Sequence, residues 1–134
     1  MVWHGRGIDP LTMLLTIFIL REHMANPNSI SNFELMALLA LIRLGDDAYG
    51  VPISREIEEH SGHDVAAGSV YAALERLQSR KLVVSSLGEP TAERGGRAKR
   101  YFKITSKGLR TVQETQQILM RLWKGVPKLD ARGV

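Results

Sequence analysis

Gly68-Ser-Val-Tyr71-Ala-Ala-Leu74-Glu-Arg-Leu77 is the stretch on which the reading of this 134-residue chain turns. Val70, Ala73, Leu74 and Leu77 fall on one helical stripe, while Tyr71, Glu75, Arg76, Gln78 and Ser79 turn away from it. The helix opens on small residues, Ala66-Ala67-Gly68-Ser69, which let another backbone come close, and the free N–H groups of a helix start attract phosphate. Upstream, Tyr49-Gly50-Val51-Pro52 leads into Ile53 and Ile57, and Ser61-Gly62 ends a short helix that is acidic outside. Downstream, Leu82-Val-Val-Ser-Ser-Leu87 favours strand, residues 88–96 read as a loop, and Tyr101-Phe-Lys-Ile104 reads as a second strand. Two short helices and then a hairpin with a basic tip is the order of a winged helix-turn-helix.

Working outward, Ser31-Asn32-Phe33-Glu34 is a capping box ahead of Leu35, Leu38, Leu39 and Ile42, which predicts a helix over 32–44 closed by Gly45. Asp9-Pro10 predicts another helix over 10–24, separated from it by Asn26-Pro27-Asn28-Ser29. At the other end, Thr105 or Ser106 caps a last helix that runs to about Lys124 and stops before Gly125 and Pro127. Leu109, Val112, Leu119 and Trp123 form its seam, with polar Gln116 at the missing heptad position and Ile118, Met120 and Leu122 on a second flank. A helix apolar on two flanks needs a partner on more than one side, and a chain this short gains from pairing with a second copy. The expected class is mainly α: a winged helix-turn-helix with a two-stranded β-hairpin wing and a long C-terminal dimerisation helix. The expected division is an apolar N-terminal helix or extension over 1–25, the winged domain over 26–104, the dimerisation helix over 105–126 and a tail over 127–134.

Charge is unevenly spread. Residues 46–64 carry six acids (Asp46, Asp47, Glu56, Glu58, Glu59, Asp64) against Arg55, whereas residues 76–110 carry ten bases against Glu89 and Glu93, within a net charge of only +4. A concentrated basic segment suits an anionic partner, nucleic acid first. Zero Cys excludes disulfides, thiolate zinc sites and Cys nucleophiles, and fits a reducing cytoplasm. The apolar run Leu11–Leu20 would span ~15 Å as a helix, half of what a bilayer core demands, so no membrane partner is expected. Arg21-Glu22-His23-Met24 stands where a secretion signal would need small residues. His60-Ser-Gly-His63, beside Glu59 and Asp64, has metal-binding residue types, but Ser61-Gly62 breaks the helix between the imidazoles, so no metal site is read. No nucleophile, base and orienting group fall into a recognisable motif, and no glycine loop cradles phosphate, so neither an enzyme nor a cofactor is expected.

Three blocks in order carry a resemblance: Gly68-Ser-Val-Tyr71-Ala-Ala-Leu74-Glu-Arg-Leu77, then Gly95-Gly-Arg97-Ala-Lys-Arg-Tyr101-Phe102, then Thr105-Ser-Lys-Gly108. Over about residues 32–124 the chain resembles the PadR family of bacterial transcription regulators, in its short branch without a large C-terminal effector domain. One block departs: the glycine-tyrosine often found before the first helix of the pair stands here as Tyr49-Gly50. The resemblance implies a homodimeric repressor on a pseudo-palindromic double-stranded DNA operator, its half-sites ~34–36 Å apart. It implies DNA contacts from Ser69 and Tyr71 of the second helix and from Arg97, Lys99 and Arg100 of the wing; the small-residue helix start and the basic segment add Ala67, Gly68, Arg76 and Arg94 as expected contacts. It implies a dimer interface through Leu109, Val112, Gln116, Leu119, Met120 and Trp123, often with help from an N-terminal helix. Trp123 could also offer a platform to a small apolar or aromatic effector, against the plainer reading that it is dimer core. Tyr71 likewise has two readings, a DNA contact or a ring packed on the hairpin. A winged module that binds protein instead of DNA is the competing function.

Overall fold

Ser31 starts the part of the chain that builds a core. Its hydroxyl accepts the Glu34 amide (3.1 Å) and its own amide donates to the Glu34 carboxylate (2.8 Å), closing the capping box that opens α2 (Asn32–Leu44). In the computed structural model the described residues are 7, 9–24, 29–90 and 98–128. Helix α2 buries Ala37, Leu38, Ala40 and Leu41 and ends at Gly45, whose φ of 58° lies in the left-handed region. A 3₁₀ turn over Gly45–Asp47 leads to α3 (Gly50–Ser61), which buries Ile53 and Ile57 and stops at left-handed Gly62. Helix α4 (Ala67–Ser79) presents Val70, Ala73, Leu74 and Leu77 to the centre. These four are the stripe read from sequence, and all are fully buried.

After α4 the chain turns through Arg80 and Lys81, with the Leu82 amide donating to the Leu77 carbonyl (2.9 Å). Strands β1 (Val83–Pro90) and β2 (Ala98–Ile104) then pair antiparallel, Val83 opposite Ile104 and Ser85 opposite Phe102. Both strands are longer than their apolar runs predict. Pairing continues beyond Leu87 through an irregularity to Pro90 opposite Ala98. Proline has no amide to give a ladder and is tolerated at such a strand end. The hairpin is also fastened to the helix pair by backbone, since the Phe102 amide donates to Ala48 (2.8 Å) and Tyr49 bridges Tyr101.

Leu82, Val83 and Phe102 close the core from the hairpin side, against α2 and α4. Helix α5 (Ser106–Lys124) leaves from the same corner. The Thr105 hydroxyl accepts the Gly108 amide (3.0 Å) and donates to the Lys81 carbonyl (2.8 Å). Gly108 lies so close to the Leu82 carbonyl and to Ile104 that a Cβ would overlap both. Past Val112 the helix leaves the core, and apart from half-buried Thr115 its described side chains are exposed. Helix α1 (Pro10–Met24) has the predicted span, and its apolar side chains from Leu11 to Phe18 are exposed. Among the described residues no helix is long and apolar enough to cross a membrane. The architecture is a mainly helical winged helix-turn-helix with a two-stranded wing and a long terminal helix, as the sequence predicts.

Candidate nucleic-acid interface

Helix α4 starts without a side-chain cap: Ala66 occupies the cap position, and Ala67, Gly68, Ser69 and Ala72 are exposed. The first turn therefore offers unpaired backbone N–H groups with almost no side chain in front of them. Tyr71, one turn further on, packs on the hairpin and keeps part of its surface open. Its ring packs on Phe102 of β2 (centroids 6.4 Å apart) and its hydroxyl end covers Gly50, yet the residue stays 39% exposed. The glycine of the Tyr49-Gly50 pair leaves room for Tyr71, because a Cβ at residue 50 would overlap the tyrosine hydroxyl unless that ring shifted.

Tyr49 has a different partner. Its ring meets Tyr101 edge-on (5.4 Å), and the Lys99 ammonium lies over its face at 4.4 Å while donating to its hydroxyl at 3.4 Å. Such a cation–π contact lowers the cost of holding a cation in one orientation. Lys99, Tyr49 and Tyr101 form a basic and aromatic cluster joining the wing to the start of α3. Tyr49 and Tyr101 were not among the expected site residues. The pairing of residues fifty apart is a property of the fold and has no local pattern in the sequence.

The other basic residues divide. Arg94 and Arg97 lie outside the described residues. Arg76, at the last turn of α4, reaches back to the Glu34 carboxylate of α2 (3.4 Å), and its side chain is half-exposed. Arg100 donates to Glu75 (2.7 Å) and Gln78 (3.0 Å) of α4 and to Ser85 of β1 (3.1 Å), with its guanidinium over the Phe102 ring. Burial by itself would raise the pKa of Glu34. The hydrogen bonds from Ser31 and the Arg76 guanidinium outweigh it and hold the carboxyl below the ordinary carboxylate range.

On the far side, α5 keeps Leu109, Gln116, Leu119, Met120 and Trp123 exposed, Trp123 by 70%, while Val112 is buried within this chain. An apolar cleft of about 330 Å³ runs between α2 and α5, lined by Leu35, Leu39, Val112, Gln116, Leu119, Met120 and Trp123. Five of the six residues expected at an interface between copies thus line one groove, and Leu109 stands outside it. His60 and His63 are separated by the end of α3, and His60 Nδ1 lies 2.9 Å from the Glu56 carbonyl.

Residues 38–114 match the family model of the PadR-like transcriptional regulators. A PadR-like transcriptional regulator from Bacillus cereus shares 27% identity with a TM-score of 0.57, over 69% of this chain and 84% of its own. A transcriptional regulator from Clostridium thermocellum shares 25% identity with a TM-score of 0.57, over 68% of this chain and 85% of its own. A PadR family regulator from Eggerthella lenta, at 22% identity and a TM-score of 0.56, has the same fold over 84% of this chain and 87% of its own. No curated protein sequence matches the chain. The family model spans more than half of the chain and contains both helices of the pair, the wing and the start of the last helix, so the chain belongs to the PadR-like family of transcriptional regulators.

Proposed function

We propose that the protein is a cytoplasmic, sequence-specific DNA-binding repressor that acts as a homodimer on a pseudo-palindromic operator. The observation that carries this reading is the juxtaposition of an open, small-residue helix start with the Lys99–Tyr49–Tyr101 cluster on the wing. Helix α4 enters the major groove, where Ala67 and Gly68 bring backbone N–H groups to phosphate and the Ser69 and Tyr71 side chains reach base edges or backbone. The wing, with Lys99, Arg94 and Arg97, lies along the adjacent phosphates or enters a narrow minor groove. Family membership supports regulation of transcription; the direction of control and the dimer belong to this proposal.

Dimerisation joins α5 to its copy through Leu119, Met120 and Trp123, with the exposed apolar side of α1 packed over the partner's terminal helix. Support comes from the number of large apolar side chains that one copy leaves in water along both helices. The α2/α5 cleft beside Trp123 has room for a small apolar or aromatic effector, whose binding would alter the packing between copies.

The test is a mobility-shift titration against the DNA upstream of the protein's own gene, backed by selection from random DNA, at two salt concentrations. Binding as a dimer, selective for one site and weakened by salt, is expected. Lys99→Ala should lower the slope of log affinity against log salt by about one. If neither DNA pool yields a selective complex, the reading fails and a protein partner for the winged module takes its place.

A further inference from the structure

Arg100 follows Lys99 directly, and along a strand neighbouring side chains point to opposite faces of the sheet. The consequence here is specific: Lys99 goes to Tyr49 at the start of α3, and Arg100 goes to α4. The two helices of the pair are therefore each tied to the wing by one of two consecutive basic residues. Arg100 has the richer set of partners. Nη1 meets Glu75 at 2.7 Å, Nη2 meets Gln78 at 3.0 Å and Nε meets Ser85 at 3.1 Å, while Cζ stands 5.2 Å from the Phe102 ring centroid. Glu75 and Gln78 are three residues apart on one face of the helix, so a single planar fork grips that face and the paired strand together.

Position in the hairpin gives the contact its importance. The base of the wing is fixed by buried Val83 and Phe102, whereas Leu87, Glu89 and Pro90 are exposed. Arg100 is paired with Leu87, the last residue before the register becomes irregular. It is the outermost described residue of the wing with side-chain bonds to α4.

We propose that Arg100 is a positioning residue that sets the angle of the wing on the recognition helix, and that it does not serve as a phosphate contact. This rests on the DNA reading above. The positively charged fork is paired with Glu75 at the surface and engaged by acceptors of the protein itself, and what it determines is where the tip beyond it meets the duplex. Loss of Arg100 should therefore reduce discrimination between operator and other DNA more than it reduces electrostatic attraction.

Arg100→Gln, Glu75→Gln and Lys99→Ala are compared with the unaltered protein by DNA titration over a range of salt and by hydrogen exchange of the wing amides without DNA. In Arg100→Gln the expectation is an about tenfold loss of operator affinity, as for losing charge-assisted hydrogen bonds, with the salt slope unchanged. Glu75→Gln should also lower the ratio of operator to non-operator affinity. A drop of about one in the salt slope of Arg100→Gln, or tighter selective binding by Glu75→Gln, would overturn the proposal, since both are what a phosphate contact restrained by an acid would give. Exchange separates this failure from failure of the DNA reading. If no DNA is selected at all, faster exchange at Leu87–Glu89 and Ala98–Arg100 in Arg100→Gln, with α4 unchanged, still upholds the positioning role, and unchanged wing exchange refutes it.

Discussion

The helix pair with its wing and the two outlying helix segments solve the problem of apolar surface in opposite ways. Leu38, Ile53, Leu74 and Leu77 are fully covered by neighbours from the same chain. Leu119, Leu122 and Trp123 on α5 are 45%, 65% and 70% exposed, and Leu11 and Phe18 on α1 are 65% and 61% exposed. Hydrophobicity does not separate the two regions, because the ten-residue run in α1 is the most apolar in the sequence. What separates them is closure. Four elements meet around α2 and α4, each supplying one apolar face, whereas among the described residues no layer is laid over the apolar surface of α1 and the outer half of α5. The first region closes within one copy; in the proposed dimer the second would draw its stability from association, and so from concentration.

The sharpest way to break this contrast is to make the same deletion in both places. Leu74→Ala should cost about 2–5 kcal/mol in denaturant unfolding at every protein concentration, as for a fully enclosed leucine. Leu119→Ala should be nearly silent in dilute protein and lower the melting temperature only where the second copy is bound. Equal, concentration-independent losses would abolish the distinction. A smaller effect probes how tightly the closed region is fitted. Gly50→Ala drives a methyl into the Tyr71 hydroxyl and should cost about 1–3 kcal/mol, part of it recovered in the double variant with Tyr71→Phe. Additive losses in that cycle would show that the helix start, and not the tyrosine, sets the requirement for glycine.

The smallest effect concerns acid. Glu34 has its folded pKa held below the unfolded value, so its contribution to stability is complete above the unfolded pKa and disappears as pH falls through the folded one. Stability measured from pH 6 down to pH 3 should therefore decline less steeply in Glu34→Gln than in the unaltered protein. An equal slope would assign the acid sensitivity of the closed region to other carboxylates.

Most of this architecture is legible in the sequence because it rests on local signals. The Ser31/Glu34 box, the stripe from Val70 to Leu77 and the glycines at 45 and 62 each specify an element within a few residues of themselves. The extent of the wing is less legible. Gly88 and Pro90 have turn composition, yet both lie in β1, where Gly88 leaves room for the Tyr101 ring and Pro90 ends the ladder. The roles of the basic residues are least legible. Arg76, Lys99 and Arg100 look equivalent as charges in a basic segment, and only tertiary pairing with Glu34, Tyr49 and Glu75 tells them apart. Local pattern fixes which way a side chain leaves its own element; it carries no information on what stands opposite.

The hydroxyl of Thr105 has a consequence for how a signal could travel. It holds the first turn of α5 and the turn that follows α4 with the same oxygen, and Gly108 removes any slack between them. In the proposed dimer, α5 is then the handle of a wrench whose jaw is the helix pair and wing. Anything that changed the crossing of the two handles would then swing the jaws apart or together, so that control would act on the span between half-sites while each half-site reader kept its shape.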